Sequence, residues 1–194
     1  MCSKEYGHTA LSKKIMKNKN ALQIHLGENF EFLNNVVKDA HIGTIELEGN
    51  IEVTRGNFIA NVLCNILKMP KAGKSVFNTV KAYHYPDRMQ WKRTFDGVTF
   101  NSCFTLSGGF LVENMGPLKL FLKGSVENGA LIYRLAFVKV LDITIPKLFS
   151  PNLYASESEF DEKYKFLVAV SMPVVGLLIQ YSGSLILIEK ERLI

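Results

Sequence analysis

The chain has 194 residues, 47% hydrophobic and 21% charged, with a net charge of +5 at pH 7. That length suits one domain with its own core, and the balance excludes a disordered or collagen-like chain. The basic residues are scattered, or gathered between Lys13 and Lys19 without interleaved aromatics, which excludes a nucleic-acid stripe. They read as a solvated basic segment, or as weak attraction to an anionic membrane or ligand.

In chain order, Ala10 to Lys19 is a first candidate helix. From Glu28 to Ala40, Phe30, Leu33, Val36, Val37 and Ala40 recur at helical spacing and predict one amphipathic helix. Gly43 opens an alternating run, with Ile45, Leu47, Ile51 and Val53 on one side and Glu46, Glu48 and Glu52 on the other. Asn57 is placed to cap a helix reaching Lys68, which Pro70 stops.

Between Ser75 and Val140 the sequence reads as one antiparallel meander, broken at Pro86-Asp87, Asp96-Gly97, Gly108-Gly109, Gly116-Pro117 and Asn128-Gly129. Asp-Gly and Asn-Gly favour two-residue hairpins, because the turns that match strand twist need positive φ. Six strands result, near 76–85, 88–95, 98–107, 110–115, 118–126 and 130–140. Pairing across each turn puts Ala82, Trp91, Ser102, Met115 and Leu118 in one row, and His84, Met89, Phe104, Glu113, Leu120 and Phe137 in the next. Lys81, Gln90, Lys92 and Thr94 take the wet face, which Phe121, Ile132 and Val138 join later under an expected covering helix. From Pro146 to Lys163 the sequence predicts a long loop carrying Glu157, Glu159, Asp161 and Glu162, either a lid or a plain crossover. The uncharged stretch Phe166 to Ile188 contains Pro173, Gly176 and Gly183, and reads as two buried strands rather than a membrane span.

The apolar face collects polar residues. Arg93 falls between Trp91 and Phe95 and needs an acceptor, either a ligand anion or a structural partner. Glu113 lies between Leu111 and Met115, a candidate general acid or base or one half of a pair with His84, Arg55 or a backbone amide. By register it is two strands from Arg93, so contact between them requires strong curvature. Ser102 lacks a nucleophile elbow, and the only tryptophan, Trp91, faces inward as core or wall. Cys2, Cys64 and Cys103 form no C-x-x-C pair, and the four histidines lack metal-ligand spacing, so neither a disulfide framework nor a metal is expected. The Ala72-Gly73-Lys74-Ser75 stretch lacks the first glycine of a phosphate loop, so no nucleotide cofactor is expected. The absence of an apolar leader in the first twenty residues points to a cytoplasmic location.

Several of these residues together resemble a bacterial family known as domain of unknown function 4166. They are Gly49, Glu52, Val53, Arg55 and Gly56; Trp91, Arg93 and Phe95; Phe100 and Ser102; Glu113, Gly116 and Pro117; and Pro173, Gly176, Tyr181 and Gly183, with His41 and Glu157 also fitting. The family carries no assigned activity. The resemblance implies a free-standing domain, or one that accompanies NAD(P)-binding, saccharopine-dehydrogenase-like or epimerase-like domains. It leaves His84 outside the pattern.

The expected fold is α+β over a single domain: residues 1–42 mainly helical, 43–145 a helix-interrupted meander, 146–163 a loop and 164–190 a C-terminal hairpin. N-terminal helices pack on a strongly curved, mostly antiparallel sheet of about nine strands, closed or half-open as a barrel. The leading functional expectation is a non-catalytic module binding a small amphipathic or anionic ligand in a drug-sized pocket, without a cofactor. Arg93, aided by Arg55, would meet the ligand, with Trp91, Phe100, Ser102, Phe104, Glu113, Met115 and Tyr181 around it. Alternatives are an enzyme using Glu113 as acid or base beside Arg93, and a domain docking an NAD(P)-dependent dehydrogenase-like partner. Neither nucleic acid nor stable membrane insertion is expected.

Overall fold

The computed structural model describes residues 19–191, so the helix expected over Ala10 to Lys19 lies, but for its last residue, outside the described residues. Asn20 opens the first described helix, α1 (Ala21–Leu26). Its side chain accepts from the Leu22 and Gln23 amides while Gln23 reaches back to the Asn20 amide. Asn20 Nδ2 also donates to the His41 carbonyl at 2.7 Å, tying the start of the helical segment to its end.

The single helix expected from Glu28 to Ala40 is two pieces, a 3-10 segment (Gly27–Phe32) and α2 (Asn35–Ala40). Leu33 is extended between them, and the Asn34 amide donates to Gly129 O at 2.9 Å. A tertiary bond thus replaces the helical one at the break, while Phe30, Leu33, Val37 and Ala40 still reach the core.

The sheet is built from β1 (Thr44–Arg55), β2 (Gly73–His84), β3 (Met89–Phe95), β4 (Val98–Ser107), β5 (Phe110–Met115), β6 (Leu118–Glu127), β7 (Ala130–Val140), β8 (Ile143–Thr144), β9 (Asn152–Phe160), β10 (Lys163–Met172) and β11 (Gly176–Glu191). The helix α3 (Phe58–Ile66) separates β1 from β2, and Asn57 caps it by accepting from the Ala60 amide at 3.0 Å. The spatial order is β6-β5-β4-β3-β2-β1-β11-β10-β9-β7, with β6 also paired to β7 and β8 hanging on β7. Ten antiparallel strands therefore close into a barrel, and the helices are few and short. Closure leaves no sheet edge among those ten. Bulges on β2, on β7 and at two places on β11 supply the curvature. At Gly183 β1 comes so near that a Cβ would lie 2.6 Å from Ile51 Cγ2 and 3.1 Å from its Cα.

The meander register holds from Ala82–Trp91–Ser102 through His84–Met89–Phe104–Glu113–Leu120. It then shifts by one residue in β7, where Leu120 faces Val138 instead of Phe137. Val138 is consequently core and Phe137 is outside, the reverse of the simple alternation. No described helix covers Phe121 on the outer face. Phe137 stacks on it at 4.2 Å, with Phe110 edge-on to both.

The region 146–163 is not one loop, since β9 occupies half of it. Asp161 and Glu162 are the two positive-φ residues of a tight hairpin into β10. A turn of that kind without glycine hides from a reading based on glycine and asparagine. The helical segment α1–α2 closes one end of the barrel, near Gly129 and Gly43. The uncharged stretch from Phe166 to Ile188 forms most of β10 and β11, and no helix among the described residues is long and apolar enough to cross a membrane.

Candidate functional site

The interior is not filled. His41, Met89, Trp91, Arg93, Phe104, Glu113, Leu122, Tyr133, Leu153, Ala155, Glu157, Val168 and Tyr181 line a cavity. Its volume is about 70 Å³. That is room for several waters or a small head group, less than the drug-sized pocket expected.

Curvature brings the two inward charges together. Register sets Arg93 beside Phe100 and Glu113 beside Phe104, with Ser102 midway on β4. The long arginine side chain runs past Ser102, donating from Nη1 to Ser102 Oγ at 2.9 Å and to Glu113 Oε1 at 3.2 Å. Its guanidinium lies 5.0 Å from the centre of the Trp91 ring. Burial by itself would lower the Arg93 pKa, but the Glu113 carboxylate and then Tyr181 outweigh it, so the proton is held more tightly than usual. Nε and Nη2 of Arg93 have no hydrogen-bond partner among the described residues, so part of the donor fork remains for a ligand.

Across the lumen, β9 presents Glu157, whose Oε2 is 2.6 Å from His41 Nε2 at the end of α2. Tyr133 and Tyr164 stand near it. Burial first, and then the Glu157 charge, push both phenols well above their ordinary pKa. Tyr181 is raised too, by burial and by Glu113, against the opposing pull of Arg93. All three phenols are therefore protonated at neutral pH and remain hydrogen-bond donors.

A third group sits behind Trp91. The rings of His41, His84 and Trp91 form a triangle with centroids 5.3 to 6.0 Å apart. His84 Nδ1 lies 2.8 Å from Gly43 O; a carbonyl only accepts, so Nδ1 carries the hydrogen. Burial, and then the neighbouring His41, lower the His84 pKa to about 3 despite that bond. His41 Nδ1, His84 Nε2 and Trp91 Nε1 are buried without a hydrogen-bond partner among the described residues. Three such nitrogens in adjoining rings are unusual, because an unmet buried polar atom costs about 1–3 kcal/mol.

A family model described as a domain of unknown function (DUF4166) matches residues 33–185. The chain belongs to that family. No curated protein matches it. The DUF4166 match takes in every lumen residue described above, from His41 to Tyr181.

Of the residues singled out by sequence, Trp91, Arg93, Phe104, Glu113 and Tyr181 line the cavity and Ser102 bonds to Arg93. Phe100 lies towards the mouth, edge-on to Phe95, which in turn meets Tyr181. Met115 is half-buried against the same core. Arg55 is elsewhere. It donates to Pro70 O (2.9 Å), Met69 O (2.6 Å) and Asn65 Oδ1 (2.7 Å), fastening the end of α3 to β1, so it is not a lumen ligand.

Sequence reasoning did not choose His41, Tyr133 or Glu157 for the site. The alternation Leu153, Ala155, Glu157 against Tyr154, Ser156, Ser158 does point Glu157 inward. It was masked by Pro146 and Pro151 and by the acidic residues that follow.

Proposed function

We propose that the barrel is a non-catalytic binding module that takes the polar head of a small amphipathic molecule into its lumen. The observation that carries this reading is a cavity lined by half-buried Arg93, whose Nε and Nη2 are unspent, and by Trp91, whose Nε1 has no partner, beside an apolar wall of Phe104, Leu153 and Val168. The head group is an acceptor without full negative charge, such as a hydroxyl or carbonyl. An anion would meet Arg93, whose charge Glu113 already offsets at 3.2 Å, and would face Glu157 as well.

Trp91 is the sole tryptophan and lines the cavity, so its fluorescence reports occupancy directly. Titration with an alcohol, a carboxylate and an amine of equal chain length is expected to shift Trp91 emission most strongly with the alcohol. The carboxylate should bind about tenfold more weakly, and Arg93→Met should abolish the preference for an acceptor head. Equal or tighter binding of the carboxylate, or no response to any of the three, would refute the reading.

One observation favours a second reading. The His41–Glu157 pair and Glu113 face the same cavity, and such groups can move protons to and from a bound molecule. An enzyme would lose turnover while keeping Trp91-monitored binding in Glu113→Gln; unchanged turnover in that variant would exclude Glu113.

A further inference from the structure

The ladder defines which loops share the open end of the barrel. Phe95 opposite Val98, Met115 opposite Leu118, Leu118 opposite Val140 and Met172 opposite Gly176 put the intervening turns at that end. The end of β1 at Arg55, with α3 following it, joins them. The lumen opens in the same direction. Along β10 the inward residues run from buried Tyr164 to half-buried Met172, and along β4 from buried Phe104 to half-buried Phe100.

This mouth is rimmed by large apolar side chains turned outward. The helix α3 buries only its small residues, Ala60 and Cys64, while Phe58 is 81% exposed and Ile66 69%. Val174, at the tip of the β10–β11 turn, is fully exposed, and Asn57 Nδ2 ties that turn to the start of α3 through Val175 O at 3.0 Å. Leu141, Leu148 and Phe149 project from the β7–β9 connection on the same rim. Large apolar side chains exposed together on three segments of one rim mark something the protein touches.

Charge identifies the partner. From Thr54 to Pro86 there is no Asp or Glu, whereas Lys68, Lys71 and Lys74 follow α3 directly and Lys147 stands beside Leu148. All three of those α3-proximal lysines are exposed, and no carboxylate of the described residues pairs with them. The rim acids are Asp96, which accepts from the Phe77 amide, and Asp142, which is bonded to Lys119. At the helical end of the barrel, by contrast, charges of both signs are mixed, with Glu31 beside Lys38, Asp87 beside Arg88 and Asp39 beside Lys190. Exposed apolar groups flanked by free lysines match an anionic lipid surface, which takes Phe and Leu into its interface and holds Lys at the head groups. The outer strand face carries Lys81, Gln90 and Lys92, so the barrel stands on such a surface rather than spanning it.

We propose that this protein docks reversibly, mouth down, on anionic membranes through α3, the Pro173–Val175 turn and the β7–β9 connection, with its lumen open to the lipid. The test is flotation of the full chain with phosphatidylcholine vesicles, and with vesicles in which phosphatidylglycerol replaces about a third of the lipid. Binding is expected to the anionic vesicles only, and to weaken with salt. The pair Phe58→Glu and Val174→Asn should lower partitioning about tenfold or more, and Lys68, Lys71 and Lys74→Gln by roughly fivefold per lysine. Phe32→Glu, at the opposite end and 70% exposed, should leave it unchanged. Circular dichroism checks that each variant folds.

The lumen variant Arg93→Met should float like the wild type, so failure of the ligand reading would not look like failure of docking. No flotation at low salt, equal loss in Phe32→Glu, or capture by a protein partner in competition with vesicles would overturn the proposal.

Discussion

Removing Glu113 while keeping Arg93 leaves a half-buried guanidinium facing Trp91 and Phe104 without its carboxylate. At 3.2 Å the two charges attract by about 5 kcal/mol at an effective dielectric constant of 20. Desolvation of both ions offsets most of that, so the intact pair is worth little net. Breaking it is different, because the remaining charge keeps its desolvation cost with no partner. We expect Glu113→Leu to destabilise the fold by about 3 kcal/mol, and Arg93→Met by about 2–3 kcal/mol. The double variant should cost less than the sum by about 2 kcal/mol, since neither charge is then stranded. Urea unfolding of the four proteins at pH 7, with equal m-values, measures the cycle. A coupling energy below about 0.5 kcal/mol would refute the pairing.

Two further outcomes follow from the same geometry. His84 titrates near pH 3 when folded and near 6.5 when unfolded, so the unfolded state binds the extra proton between those values. Stability is present above pH 6.5 and falls with decreasing pH by up to about 1.4 kcal/mol per unit down to pH 3; His84→Gln should flatten urea stability between pH 6.5 and 4.5, and an unchanged slope would sink the assignment. At Gly56 a Cβ would lie 1.8 Å from the Leu177 carbonyl oxygen, a backbone atom, so Gly56→Ala should lower stability by about 3 kcal/mol and loosen α3 to proteolysis, whereas a neutral result would show that β1 and β11 separate there easily.

Local chemistry was enough for much of the sheet. Asp96-Gly97, Gly108-Gly109 and Asn128-Gly129 take positive φ as their types require, and together with the turns at Pro86-Asp87 and Gly116-Pro117 they pin the register from β2 to the start of β7. Parity then set Arg93, Ser102 and Glu113 on the inner face together. Three things were decided only in three dimensions. The bulge in β7 reversed Phe137 and Val138, because a one-residue shift depends on how tightly the sheet must bend. The strand β9 formed in spite of its acidic sequence, because the gap between β7 and β10 offered paired backbone groups on both sides, worth more than its propensity denied it. Its arrival carried Glu157 to His41, residues 116 positions apart. Whether Arg93 reached Glu113 was likewise a matter of closure: flat, the register holds them two strands apart, and ten strands curled into a ring bring a long side chain within a hydrogen bond.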